Sequence, residues 1–315
     1  MGFRDDILTP AFRKSGPTTL WLLKIILPIS LLVRFLDYFG VIALMADYLD
    51  PLFNYMGLPG STAIVFLTSI FLPLYAPLAI ITSMSITLRE LTILALMCQI
   101  AHNLPVESAV QARTGTTFWN MTLLRITASI ATGFVLNLIL PQEMGMPLFA
   151  QTGIEVMSSI PDVLLAWLKS SLGISLLITV IVFSLNLLYR ALEAYNIIPR
   201  LSKGVEPLLK LFGLPPSTSF LWLIGCIVGL AYGGALMMDQ MKEGKVTHTE
   251  ADLLNHHLAV SHSVVEDNLL FVALGVSIWW ILATRLMLAW LVVWMRRGII
   301  KARRGYVFLK SENQE

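Results

Sequence analysis

Apolar residues run along this chain in stretches long enough to cross a membrane, and the stretches fall into two sets of four. The first of each set is 18–46 and 163–189, the third 90–112 and 250–272, the fourth 116–140 and 276–295. About 20 apolar residues in a helix span a hydrocarbon core of about 30 Å. The second stretch differs in kind. Ser61 to Met84 is interrupted by Pro73 and Pro77, and Ser217 to Met238 by Gly225, Gly229, Gly233 and Gly234. A proline inside a helix removes a hydrogen bond and clashes with the preceding turn. Breakers in matching places predict a re-entrant helical hairpin that enters and leaves on one side; a kinked spanning helix is the other reading. Irregular backbone at membrane depth persists only where it is buried in protein or lines a cavity.

The two sets are related in sequence. Met56-Gly57-Leu58-Pro59-Gly60-Ser61-Thr62 returns as Phe212-Gly213-Leu214-Pro215-Pro216-Ser217-Thr218, shifted by 156. Thr87, Glu90, His102, Gly115, Trp119 and Arg125 return as Thr247, Glu250, His262, Gly275, Trp279 and Arg285, all shifted by 160. Shared polar positions carry the match, since shared leucines mean little in so apolar a chain. Three crossings plus a hairpin place the second copy upside down relative to the first, the build of many secondary transporters. The fold class expected is therefore an all-α multi-pass membrane protein with two inverted repeats, each of about three spanning helices plus a re-entrant hairpin.

Composition agrees. Of 315 residues, 56% are hydrophobic and only 13% charged, about half the charged share of a soluble domain. The net charge of +2 says less than its placement. Lys and Arg accumulate in cytoplasmic loops. Segments 1–17, 105–116, 190–216, 240–248 and the chain beyond 295 hold sixteen of them, whereas the alternating segments 47–60, 85–89, 141–162 and 266–275 hold one, Arg89. Both termini are thus expected in the cytoplasm. The layout is a cytoplasmic N-terminus (1–17), a first repeat (18–140), an outer linker with a short amphipathic piece (141–162), an inverted second repeat (163–297) and a basic cytoplasmic tail (298–315) set against membrane lipid. Cys98 and Cys226 lie within apolar segments and give no disulfide framework.

Ionisable residues within spanning segments are costly and point to function. They concentrate in the third stretch of each repeat: His102, Asn103 and Glu107 in the first, and His262, Ser263, Glu266, Asp267 and Asn268 in the second. Pro105 is expected to break the first of these helices beside His102. His262 and Glu266, four apart, are expected on one helical face, suited to two metal ligands or to a histidine oriented by a carboxylate. The first copy lacks that spacing: Val106 stands opposite Glu266, and Glu107 opposite Asp267. Three readings stay open for these groups: ligand or proton binding, hydrogen bonding that only holds the repeats together, and a metal site. Arg125 and Arg285 either pair with Glu90, Glu107 and their counterparts or snorkel to an interface. The Ser61-Thr62 and Ser217-Thr218 pairs read as N-caps opening each hairpin. The tips, with Tyr75 and Pro77 in one and Tyr232 and Gly233 in the other, are expected to face each other near the midplane.

Walker A, Rossmann, HExxH, GxSxG and CxxC patterns are absent, so no enzyme and no cofactor is expected. No basic surface interleaved with aromatics points to nucleic acid.

The doubled Gly-Leu-Pro-x-Ser-Thr openings and the stretches Ala101-His102-Asn103-Leu104-Pro105-Val106-Glu107 and Ser261-His262-Ser263-Val264-Val265-Glu266-Asp267 resemble the gate, or nucleoside-recognition, domain family. That module is similar to one in concentrative nucleoside transporters and in bacterial ferrous-iron transport protein B. The resemblance covers 20–140 and 163–297. It implies a permease of a small polar solute, nucleoside-like and coupled to protons or another cation, working by alternating access. The chain has neither the GTP-binding domain nor the gate cysteines of the iron transporters. It is short for a complete nucleoside carrier, which implies a homo-oligomer or a partner membrane subunit. The alternatives are a divalent metal-ion permease and a non-transporting membrane subunit of a complex.

Overall fold

The computed structural model describes residues 8–82, 84–148 and 159–312, all in helices, turns and short connections. Arg4 and the amphipathic piece expected in the linker at 149–158 lie outside the described residues.

The first copy runs through α1 (Thr9–Tyr38), α2 (Val41–Tyr55), α3 (Ala63–Phe71), α4 (Tyr75–Ile81), α5 (Leu88–Ala101), α6 (Leu104–Ala112) and α7 (Phe118–Ile139). The second runs through α8 (Ile160–Ala194), α9 (Ile198–Gly204), α10 (Glu206–Leu211), α11 (Ser219–Ile227), α12 (Leu230–Lys242), α13 (His248–Ser261), α14 (Glu266–Val272) and α15 (Ile278–Glu312). Among the described residues, four helical segments are long and apolar enough to cross a membrane: 88–112, 118–139, 160–192 and 278–302. The opening helix differs from expectation, starting at Thr9 and ending at Tyr38, just before Gly40, whose left-handed backbone (φ 74°) turns the chain into α2.

The stretches with breakers do break, at 72–74 and at 228–229. After the second break the chain folds back. A Cβ built on Gly233 lies 3.2 Å from the Gly225 Cα, although eight residues of continuous helix span about 12 Å. Glycine faces let α11 and α12 lie side by side, as small residues do wherever membrane helices approach closely. Each pair is entered through a one-turn 3-10 helix, Gly60–Thr62 or Pro216–Thr218. The expected Ser/Thr N-caps are not made there. Thr62 and Thr218 instead donate back to the carbonyls of Pro59 and Pro215, at 2.7 and 2.8 Å.

Glu90 and Glu250 have a local role. Each closes a capping box with Thr87 or Thr247 at the start of α5 or α13. Glu250 also accepts the Ser217 hydroxyl at 2.6 Å. Thr87→Ala should therefore cost about 1 kcal/mol, measured as a lower unfolding temperature in detergent, with the oligomeric state unchanged.

Contacts at the two ends of α7 set the direction of α5 and α13. Asn137, near the end of α7, receives Arg89 Nη2 on both its backbone and side-chain oxygens at 2.7 Å, which places the start of α5 there. Gly115, just before α7, sits against the His248 carbonyl, which places the start of α13 at the other end (a built Cβ would lie 3.2 Å from that oxygen). At 22 residues, α7 is about 33 Å long. Hence α5 and α13 approach each other from opposite ends of a membrane-length helix, and their last residues meet between. Ile100, Met121, Ala128, Ala259, Val260 and Ala289 form a small apolar cluster where α5, α7, α13 and α15 come together.

Candidate functional site

The meeting point is where both copies interrupt a helix. α5 stops at Ala101, His102 is extended and Asn103 is left-handed (φ 48°), after which α6 begins at Leu104. Pro105 has no N–H to continue α5, yet fits the first turn of α6. In the second copy α13 stops at Ser261, His262 is extended, Ser263 is left-handed (φ 46°) and α14 begins at Glu266. The freed amides find partners at the ends of the neighbouring short helices. Asn103 N donates to Ser69 O (2.8 Å) and Ser263 N to Gly225 O (3.0 Å). The C-terminal parts of α3 and α11 thus pack on the break of their own copy.

A buried arginine holds each break from the adjoining long helix. Arg125 of α7 donates from Nε to Ile100 O and from Nη2 to His102 O, both at 2.8 Å, and its Nη1 lies 2.6 Å from Glu107 Oε2. Arg285 of α15 repeats this with Val260 O (3.2 Å), His262 O and Asp267 Oδ2 (3.4 Å), and adds Asn268 Oδ1 (3.1 Å). Both are fully enclosed, at 0% and 1% exposure, so neither snorkels. The cation faces the exposed carbonyls of a helix C-terminus, where positive charge is favoured. Glu107 and Asp267 are the matched carboxylates, and Glu90 plays no part in the pairing.

At the centre the symmetry ends. Glu107 serves both histidines: Oε1 lies 3.2 Å from His102 Nε2, and Oε2 lies 3.2 Å from His262 Nε2. The two Nε2 atoms are 3.4 Å apart. One ligand atom from each of the three residues lies within 4.8 Å of the others, all buried, a grouping among the described residues that could hold a metal ion. Glu266, expected on one helical face with His262, is separated from it by the break and accepts the Tyr75 hydroxyl at 2.6 Å. The four-residue spacing has no meaning once α13 ends between the two.

Further polar contacts tie the copies together reciprocally. Gln99 of α5 donates to the Asp267 carbonyl of α14 (3.0 Å), while Gln111 of α6 donates to the Asn255 carbonyl of α13 (2.9 Å). Asn255 Nδ2 reaches Thr114 O at 2.6 Å. Likewise α4 meets α14 through Tyr75, and α12 meets α6, where Gly234 accommodates Val110 (a built Cβ would lie 2.3 Å from its Cγ1). Sequence comparison singled out none of Gln99, Gln111, Thr114 and Asn255 as site residues, because none has a like residue at the shifted position. Ionisable or amide side chains in an apolar stretch were the available signal.

His102, Glu107, His262, Glu266, Asp267, Asn268, Arg125, Arg285 and Tyr75 thus converge, with Asn103 and Ser263 shaping the backbone. Ser61, Thr62, Ser217 and Thr218 stand at the far ends of α3 and α11. Pro77 is buried within α4, Gly233 packs on Gly225, and Tyr232 is exposed.

A family model described as Gate, nucleoside recognition, matches residues 19–117, the first copy up to the loop before α7. An uncharacterised membrane protein of Bacillus subtilis (strain 168), YvoD, is 32% identical over 278 residues, covering 86% of this chain and 88% of its own length. The chain belongs to the Gate family of membrane proteins. In this Gate protein the likeness to the relative covers far more of the chain than the 19–117 match. No solved structure matches the chain.

Proposed function

We propose that this Gate protein is a permease that moves a small polar solute, nucleoside-like and cation-coupled, by alternating access. One observation carries the reading: four interrupted helix pairs, two from each copy, converge on a buried His102–Glu107–His262 cluster. Discontinuous helices meeting between related halves are how many secondary transporters build a site at the midplane. Buried ionisable groups there serve the solute or the coupling ion.

In this reading 18–140 and 163–297 are inverted repeats and α3–α4 and α11–α12 are re-entrant hairpins. Both termini are cytoplasmic, in a bacterial inner membrane. The opposed approach of α5 and α13 supports the inversion, and the side-by-side packing of α11 and α12 supports the hairpins. Trp119 and Trp279, exposed at matched positions where α7 and α15 begin, suit the two membrane interfaces. The two repeats rock about the cluster, exposing it to one face and then the other, and a second copy or a partner membrane subunit completes the carrier.

Purified protein is screened for thermal stabilisation by nucleosides and other small polar solutes, and hits are followed as uptake into proteoliposomes. The wild type is expected to accumulate a hit, and His102→Ala/His262→Ala to lose uptake while still inserting as a monodisperse protein. Normal uptake by the double variant would sink the site assignment. A wild type that moves nothing and always co-purifies with one other membrane protein would make the chain a structural subunit instead.

A further inference from the structure

We propose that His102, Glu107 and His262 form a binding site for one divalent transition cation of the zinc type. The ring tautomers are set by the backbone. His102 Nδ1 lies 3.0 Å from the Gln99 carbonyl, and His262 Nδ1 lies 2.7 Å from the Leu258 carbonyl. A carbonyl oxygen only accepts, so each Nδ1 carries a ring proton, and in its neutral form each ring turns a bare Nε2 lone pair inward. Two nitrogen lone pairs and the oxygens of one carboxylate then face each other at 3.2–3.4 Å. Three acceptors at such distances are held together by a cation among them, a proton on a ring nitrogen or a metal ion in its place.

The spacing selects the cation. Zinc binds imidazole nitrogen and carboxylate oxygen at about 2.0–2.2 Å in a tetrahedron, whose edges are then about 3.3–3.6 Å. The 3.4 Å between the two Nε2 atoms and the 3.2 Å from His102 Nε2 to Glu107 Oε1 are close to two edges of one such tetrahedral face. Two imidazoles and one carboxylate leave the fourth position of a tetrahedron open to water or a bound solute. The carbonyl contacts at Nδ1 are the outer-shell bonds that orient metal-ligating histidines. Arg125 already occupies Glu107 Oε2, which leaves Oε1 as the ligand oxygen. Charge also favours a cation: the cluster gathers three carboxyl groups (Glu107, Glu266, Asp267) and two guanidinium groups (Arg125, Arg285). The ion arrives either as the cargo or as the coupling ion, so the inference rests on the site placed above while leaving the solute open.

Purified protein in detergent is stripped with a chelator and titrated with Zn2+ by calorimetry, and with Co2+ followed by its visible d–d absorption. One equivalent per chain is expected, with the intense visible band of tetrahedral Co2+. His102→Ala, His262→Ala and Glu107→Gln should each weaken binding by more than about a hundredfold, beyond the roughly 10–100-fold typical of losing an outer-shell partner. His248→Ala, which alters an exposed histidine outside the cluster, should leave binding unchanged. Because Glu107→Gln strands Arg125, the histidine variants decide the matter if that one fails to fold. Absent binding by the wild type, or binding retained in His102→Ala/His262→Ala, overturns the metal site. Solute uptake without metal binding overturns this inference and leaves the permease standing. Binding without uptake does the reverse.

Discussion

Arg125→Met should lower the stability of the protein by about 3–5 kcal/mol, the usual cost of removing one partner of a buried ion pair. Methionine keeps much of the volume, so the loss is electrostatic. Glu107 is left as an unpaired carboxylate in a closed environment, and the carbonyls of Ile100 and His102 lose their donors. Arg125→Lys should not restore the protein, because one ammonium cannot span two carbonyls and a carboxylate as a planar fork does. Combining Arg125→Met with Glu107→Gln should cost less than the sum of the two, since residues in one ion-pair network couple by about 0.5–3 kcal/mol. Unfolding in detergent, followed by tryptophan fluorescence, reads all four proteins. Strict additivity would mean that Arg125 and Glu107 do not act as a pair.

Gly233→Leu should be the next most damaging change. Its Cβ would press on the Gly225 backbone, 3.2 Å from Cα and 3.4 Å from N. Backbone cannot swing aside, so α11 and α12 have to separate; overpacking costs about 1–3 kcal/mol even where side chains absorb it. Gly173→Ala in α8 is the control, because a Cβ there meets nothing within 4 Å. It should be neutral or stabilising by up to about 1 kcal/mol, the usual difference in helix propensity. A Gly233→Leu protein that unfolds at the wild-type temperature would show that the two helices do not pack through these glycines.

The sequence disclosed the parts of the site that obey the repeat. His102 and His262, Arg125 and Arg285, and Glu107 and Asp267 stand at one constant shift, and the structure brings all six together. It did not disclose the joins between copies, because Gln99, Gln111, Thr114 and Asn255 bond to positions unrelated by that shift. Nor did it show where α13 ends. No proline marks the break at His262, in contrast to Pro105 after His102, so a continuous helix was the natural reading and placed Glu266 beside His262. The Ser-Thr pairs misled for a different reason. A hydroxyl beside a helix start accepts from an amide when the preceding turn is open, but the 3-10 turn after Pro59 or Pro215 presents a nearer carbonyl.

The placement of the two arginines bears on membrane voltage. Arg125 lies seven residues into α7 and Arg285 seven residues into α15, helices that begin at opposite ends of the bundle, so the histidine pair between them lies about midway along it. A full crossing at 100 mV is worth about 2.3 kcal/mol per elementary charge. In the proposed permease, a charge reaching the histidines from either side would cross about half of that potential. Under the proposed permease reading, entry and release would share the electrical work almost equally, and neither step by itself would set the voltage dependence of the cycle.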